Sequence, residues 1–210
     1  MERALTLDDL VANGTMSPEI AATLRQTARQ RHSFLVMAVP RLAGKSTVMR
    51  AMLACAPKGA PALAVGYDGD DVETLLAGSR GGYLIVPEIS RGAWAPGYIW
   101  GGPVRRAFRG ITDDVALATA LHAPDVDEAF AIICRGNGVP DDDASELALV
   151  VYLRSLGRDW TAPERRVVAS VHEILEVRRG RPRSRLLHRW DERADRFEVV
   201  APAERIGREG

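Results

Sequence analysis

Apolar and polar positions follow two rhythms along this chain. Phe34 to Val39 and Val115 to Leu121 are apolar without interruption, the pattern of central strands buried on both faces of a parallel sheet. Ala62 to Tyr67 and Tyr83 to Val86 predict two shorter strands. Between them the rhythm turns helical. Ile20, Leu24 and Ala28 stack on one helix face, and Val48 to Ala54, Val72 to Ala77 and Asp125 to Cys134 predict further helices. Local chemistry marks the boundaries. Thr6-Leu7-Asp8-Asp9 reads as a capped helix start and Asn13-Gly14 as a break. Ser17-Pro18-Glu19 supplies an N-cap, a proline at the first helical position and a first-turn acid. Ala56-Pro57-Lys58-Gly59, Gly78 and Gly136-Asn137-Gly138-Val139-Pro140 close helices. Asp68-Gly69-Asp70-Asp71 is an acidic turn expected to cap the next helix, with Asp68 or Asp70 facing a ligand as the alternative.

After residue 140 the pattern changes. Ala144 to Leu156 is apolar enough for a helix or a strand. Val167, Ala169 and Val171 alternate with Val168, Ser170 and His172, and Leu175 and Val177 continue the phase, which predicts a strand. Leu186 to Trp190 and Arg196 to Val200 predict two more around an Asp191-Glu192 turn. The expected architecture is α/β, with a mostly parallel sheet, N-terminal helices and a small C-terminal antiparallel sheet. The expected division is a helical segment over 1–32, a core over 33–157 and a β-rich extension over 158–210. No internal repeat is present, and Glu204 to Gly210 are expected to fray.

Composition narrows the function. At 210 residues, 46% hydrophobic and 27% charged, the chain can bury a sizeable core. Its formal net charge of zero removes whole-molecule attraction to nucleic acid or anionic lipid, so the basic run Arg178 to Arg183 reads as a solvated turn. No run approaches the ~20 apolar residues of a membrane span. Met1-Glu2-Arg3-Ala4 lacks the basic-then-apolar layout of a secretion signal. Cys55 and Cys134 have apolar neighbours and read as buried thiols in a reducing compartment rather than a disulfide or metal pair. These features together predict a cytoplasmic protein, with a membrane-bound partner left open.

The chemistry centres on Leu42-Ala43-Gly44-Lys45-Ser46-Thr47, set between an apolar strand and a helix. Strand, Gly-Lys-Ser loop and helix form the layout of a phosphate-binding loop. A helix N-terminus offers unsatisfied N–H groups and positive dipole, and Gly44 lets backbone approach an anion without a Cβ in the way. Lys45 would place its charge on the β- and γ-phosphates, and the Ser46 hydroxyl would hold Mg²⁺. Among 28 Lys and Arg residues only Lys45 and Lys58 are lysine, so an Arg-rich chain keeps a compact ammonium here. The full pattern opens on glycine, where this chain has Val39 followed by Pro40.

Three further positions join the loop. The strand Tyr83 to Val86 ends in Pro87-Glu88, which would deliver a carboxylate to the same sheet edge to orient or deprotonate water. Arg91 is the nearest candidate to stabilise charge beside Glu88. The strand Val115 to Leu121 ends in His122, a candidate phosphate sensor. Residues 90–110 are rich in Gly, Arg and aromatics, including Trp94, Tyr98 and Trp100. Aromatics packing on the sheet are the first reading there, and a contact surface or an arginine donated to a neighbour the second. Asp141-Asp142-Asp143 reads as a helix start favoured by the dipole, ahead of metal binding.

In this order and spacing the chain resembles the motor ATPases of type II and type IV secretion and of type IV and tight-adherence pili, with the tight-adherence branch nearest in look. The resemblance rests on Thr6-Leu7-Asp8-Asp9-Leu10 with the Ser17 helix, Gly44-Lys45-Ser46-Thr47, Pro87-Glu88-Ile89-Ser90-Arg91, Thr119-Ala120-Leu121-His122-Ala123 and Val171-His172-Glu173-Ile174-Leu175-Glu176. It covers most of residues 5–200. It implies a RecA-like P-loop NTPase core in a hexameric ring that hydrolyses Mg-ATP at subunit boundaries and works on an inner-membrane secretion or pilus platform. Ala43, Gly44, Lys45, Ser46 and Thr47 would bind nucleotide, Ser46 would hold Mg²⁺, Glu88 would act on the attacking water and His122 on the γ-phosphate. The departures are Val39 and Pro87, each in place of a glycine, and an alanine inserted after Thr119. The chain carries no counterpart of the family's large N-terminal domain, the source of arginine fingers, nor a four-cysteine zinc module. A degenerate, non-catalytic subunit of the same family is the alternative, and a small-molecule P-loop kinase a third reading.

Overall fold

A computed structural model of the chain describes residues 3–40, 42–66, 71–92, 95–159 and 161–207. Asp68, Asp70 and Trp94 lie outside the described residues. The chain enters through two short helices whose caps match their sequence signals. Helix α1 (Leu7–Ala12) is held by a capping box in which the Asp9 N–H donates to the Thr6 hydroxyl at 3.2 Å and the Thr6 N–H donates to the Asp9 carboxylate at 2.8 Å. Helix α2 (Pro18–Arg29) starts at Ser17, whose hydroxyl accepts the Ile20 N–H, and buries Ile20, Leu24 and Ala28.

Strand β1 (Ser33–Ala38) follows and is buried throughout. Next come α3 (Lys45–Leu53), β2 (Ala62–Ala64), α4 (Val72–Gly78) and β3 (Gly82–Val86). The acid before α4 is used differently than expected. Asp71 makes no side-chain cap, and its carboxylate accepts the Gly66 N–H at 3.0 Å. A small parallel pair, β4 (Glu88–Ile89) and β5 (Tyr98–Ile99), leads into α5 (Gly102–Arg109) and the fully buried β6 (Val115–Leu121). Helix α6 (Val126–Phe130), capped by Asp125, runs on as one π-helical stretch, Ala131–Gly136. The run that read as helix or strand divides into α7 (Asp141–Ser145) and β7 (Leu147–Leu156). Strands β8 (Arg165–Arg178), β9 (Arg181–Asp191) and β10 (Arg196–Val199) complete the fold.

Among the described residues one eight-stranded sheet has the order β10-β9-β8-β7-β1-β6-β3-β2. Its half from β7 to β2 is parallel, and β8, β9 and β10 are antiparallel. The antiparallel strands therefore continue the main sheet, because β7 pairs with β1 on one side and β8 on the other. The unbroken apolar run of β1 serves two cores. Phe34, Val36 and Ala38 join the layer with Leu7, Ile20, Leu24 and Met52, whereas Leu35 and Met37 join the layer with Leu84, Phe108 and Phe130. Period-two alternation with both faces covered produces that run.

The expected fraying of the C-terminus fails over residues 204–207. The Glu173 carboxylate, wholly buried in β8, accepts the N–H groups of Glu204, Arg205 and Ile206 at 2.7, 2.7 and 3.0 Å, and Ile206 enters the core. A buried carboxylate needs several donors, and this segment supplies three. Both cysteines are free and half-buried, and burial raises the Cys134 thiol to about 11.

Candidate phosphate-binding site

The parallel topology concentrates the chemistry at one sheet edge. Strands β1, β6 and β3 are neighbours running the same way, so the residues after each emerge together. Met37 pairs with Leu121, which sets Ala38 beside His122, and Val86 pairs with Thr119, which brings Glu88 to the same edge. In open α/β sheets the carboxyl ends of the strands are where ligands bind.

Three predicted residues meet there. Lys45 Nζ lies 3.3 Å from Glu88 Oε2 and 2.9 Å from His122 Nε2. The side chains of Lys45 and Glu88 are only 10% and 6% exposed, so this is a nearly dry ion pair. His122 Nδ1 lies 3.0 Å from the Ala38 carbonyl oxygen. A carbonyl only accepts, so Nδ1 carries the proton and Nε2 offers its lone pair to the Lys45 ammonium. The second Glu88 oxygen, Oε1, is buried with no hydrogen-bond partner among the described residues, and stands 3.7 Å from His122 Nε2. A buried carboxylate oxygen left without a donor is costly unless another group completes it.

The loop suits an anion. Gly44 has φ +94° and precedes α3, whose N-terminus no side chain caps and whose first turn holds no acid. That positive φ is the conformation that requires glycine. Ala43 is buried against the core, and the exposed Ser46 and half-buried Thr47 face the cleft. Among the described residues no group of three or more His, Cys, Asp or Glu forms a metal cage. Mg²⁺ commonly keeps its waters and takes one or two protein ligands plus phosphate oxygens, a donor set that the Ser46 hydroxyl at this loop fits. Arg91 instead lies over Trp100, 4.8 Å from the ring centroid, and is not part of the cleft wall. Tyr98, from the aromatic-rich segment, does line it.

Sequence reasoning missed one wall. Strand β7 runs parallel to β1, so it ends at this same edge, and β8 returns from there with Leu156 opposite Arg165 and Ser155 opposite Arg166. Arg166 Nε donates to the Leu42 carbonyl at 2.9 Å, and a Cβ on Gly44 would stand 3.2 Å from Arg166 Cδ. Arg165 binds both Asp195 oxygens at 2.7 and 2.9 Å and the Gly14 carbonyl at 3.2 Å. Consecutive arginines at the head of a strand were the only sequence signal, and the strand's direction was needed to place them. Loop, strand ends, α1 and the start of β8 enclose a cleft of about 900 Å³.

The fold is a mostly parallel α/β sheet extended by antiparallel strands, with a glycine-lysine loop at its edge. Solved secretion ATPases share it. The chain is similar to the VirB11 ATPase of the Brucella suis type IV secretion system, crystallised with sulphate, at 15% identity and TM-score 0.50 over 78% of this chain and 56% of that one. It is similar to the ATPase DotB of Legionella pneumophila at 12% identity and TM-score 0.51, over 75% of this chain and 48% of that one. For DotB of Yersinia pseudotuberculosis the identity is 12% and the TM-score 0.50, over 77% of this chain and 47% of that one. The chain thus spans about half the length of the ATPases it matches. No family profile and no curated protein matches it.

Proposed function

We propose that this chain is an ATP-binding, ATP-hydrolysing motor subunit of a secretion or pilus assembly system. The observation that carries the reading is the convergence of Lys45, Glu88 and His122 at an uncapped helix N-terminus, with one buried Glu88 oxygen lacking a donor among the described residues. Lys45 and the backbone of residues 43–47 hold the phosphates, and the Ser46 hydroxyl would hold Mg²⁺, which would supply charge neutralisation on the phosphate chain. Glu88 orients and deprotonates the attacking water, and a water there would give Oε1 its missing donor. His122, its Nδ1–H held on the Ala38 carbonyl, senses the terminal phosphate through the Lys45 ammonium that its Nε2 accepts from. The cleft volume lies in the range of ligand sites. Leu5 and Leu42, 42% and 57% exposed, line it and give the nucleoside an apolar seat.

In this reading the subunit works as a homo-oligomeric ring at the cytoplasmic face of a membrane platform. Among the described residues no helix is long and apolar enough to cross a membrane. The departures at Val39 and Pro87 favour a second reading, a non-catalytic subunit that binds nucleotide. Thermal-shift titration with Mg-ATP on wild type and Lys45→Ala tests the site. Ligand at ~100 times Kd stabilises by about 2.7 kcal/mol, which for a chain of this size is roughly 5–10 °C in Tm. The expected result is a saturable shift that Lys45→Ala abolishes. Steady-state phosphate release then separates the readings. In a motor Glu88→Gln lowers turnover by about 10²-fold or more while binding persists, and a binder shows no turnover to lose. No shift at millimolar Mg-ATP refutes both.

A further inference from the structure

Four basic groups, Lys45, His122, Arg165 and Arg166, are among the described residues that line the cleft, beside the carboxylates of Glu88 and Glu164, and they differ in how their charge is met. Lys45 lies against Glu88 and His122, and Arg165 is neutralised by Asp195. Arg166 has no carboxylate partner among the described residues. Its Nε donates to the Leu42 carbonyl in the loop itself, and its stem crosses the face of Gly44 that the missing Cβ leaves open. That face is where backbone can approach a phosphate most closely. The guanidinium keeps its terminal N–H donors for another acceptor, and its planar fork matches phosphate oxygens two at a time. The placement follows from topology, since the β7–β8 return brings Arg166 to the edge where β1 hands over to the loop. The unpartnered Glu88 oxygen in the same cleft independently indicates a missing ligand there.

We infer that Arg166 is a phosphate-binding arginine supplied in cis, which reads the polyphosphate chain of a nucleoside triphosphate alongside Lys45. The inference rests on the nucleotide reading above and adds a residue to it. Bound to Leu42, the side chain lies along the loop, and on loading its terminal nitrogens take phosphate oxygens. Arg166 then discriminates by phosphate number and is indifferent to the base.

Isothermal titration of wild type, Arg166→Ala and Arg166→Lys with ATP, ADP and inorganic tripolyphosphate, all with Mg²⁺, tests this. Loss of a charge-assisted contact predicts that Arg166→Ala weakens ATP and tripolyphosphate by similar factors, about tenfold or more. ADP should lose less, and Arg166→Lys should recover part of the loss. Arg166 is exposed and among the described residues pairs only with a carbonyl, so unchanged melting of the free variants is expected and controls for misfolding. Unchanged or tighter ATP binding in Arg166→Ala overturns the inference alone and leaves the nucleotide site standing, with Arg166 merely lying across the loop. Failure of wild type to bind any of the three overturns the proposed function and this inference together.

Discussion

Glu173 is the residue on which the end of the chain depends. It has no exposed surface, and its two oxygens accept three consecutive backbone N–H groups from residues 204–206. Arg205 then donates to the carbonyls of Ser145 and Ile174, so the segment is held from both sides. Glu173→Ala would leave one buried and two half-buried donors without an acceptor, and we expect a loss of about 3 kcal/mol in unfolding free energy. Urea denaturation should show the midpoint falling in that variant, and limited proteolysis should clip it first after residue 200. An unchanged midpoint would mean that the tail docks through Ile206 alone. In the sequence this glutamate read only as part of a late strand. Nothing local distinguishes a carboxylate that meets solvent from one that meets returning backbone, because the donors lie about 30 positions further on.

At the scale of elements, legibility followed the range of the forces involved. The caps at Thr6 and Ser17 were readable because their partners are three residues away. Strands β1 and β6 were readable because burial on both faces leaves an unbroken apolar run. Leu147–Leu156 was ambiguous, since it lies between β1 and β8 in the sheet and its apolar run carries no clear period. The acidic triplet shows the same limit. Asp141 sits in the first turn of α7, as its chemistry suggested, yet its carboxylate also accepts the N–H groups of Arg179 and Gly180 in the β8–β9 turn, the latter at 2.8 Å. One side chain thereby ties a helix start to a hairpin with positive φ at both turn residues. Asp141→Ala should cost about 1–2 kcal/mol, whereas Asp142→Ala, which has no such bond, should cost little. Paired melting curves of the two variants decide this, and equal losses would assign the effect to the helix dipole.

At the scale of the whole molecule, the sheet is a parallel half that carries most of the site and an antiparallel half that carries two further imidazoles, His172 and His188. Lys45, Glu88 and His122 could be picked from the sequence because each ends a strand or begins a helix in a parallel array. Arg166 could not, because its position depends on how the antiparallel half is joined on. Two histidines of that half and one outside it have a second consequence. His172 in β8, His188 in β9 and His32, just before β1, all have pKa values below the ordinary histidine value, with burial the leading cause. For His188 the Glu19 carboxylate opposes the shift. For His32 the Arg205 guanidinium adds to it and Glu173 opposes it. Below about pH 6.5 the unfolded chain protonates these rings while the folded one resists, so the unfolded state binds more protons. Stability is therefore complete at neutral pH and falls as pH drops through this window, by at most about 1.4 kcal/mol per pH unit for each ring. Carboxylates whose pKa is lowered, Asp195 by the Trp190 N–H and then Arg165, and Glu198 by Arg189 and Arg196, lose their contribution only in more acid solution, below about pH 4. Urea unfolding at pH 7.5, 6.5 and 5.5 should show a progressive fall in midpoint. His188→Gln, which keeps a hydrogen-bonding side chain beside Thr23, should flatten that fall. A wild-type midpoint constant across this range would mean that the three rings take up protons as readily in the folded protein as in the unfolded chain.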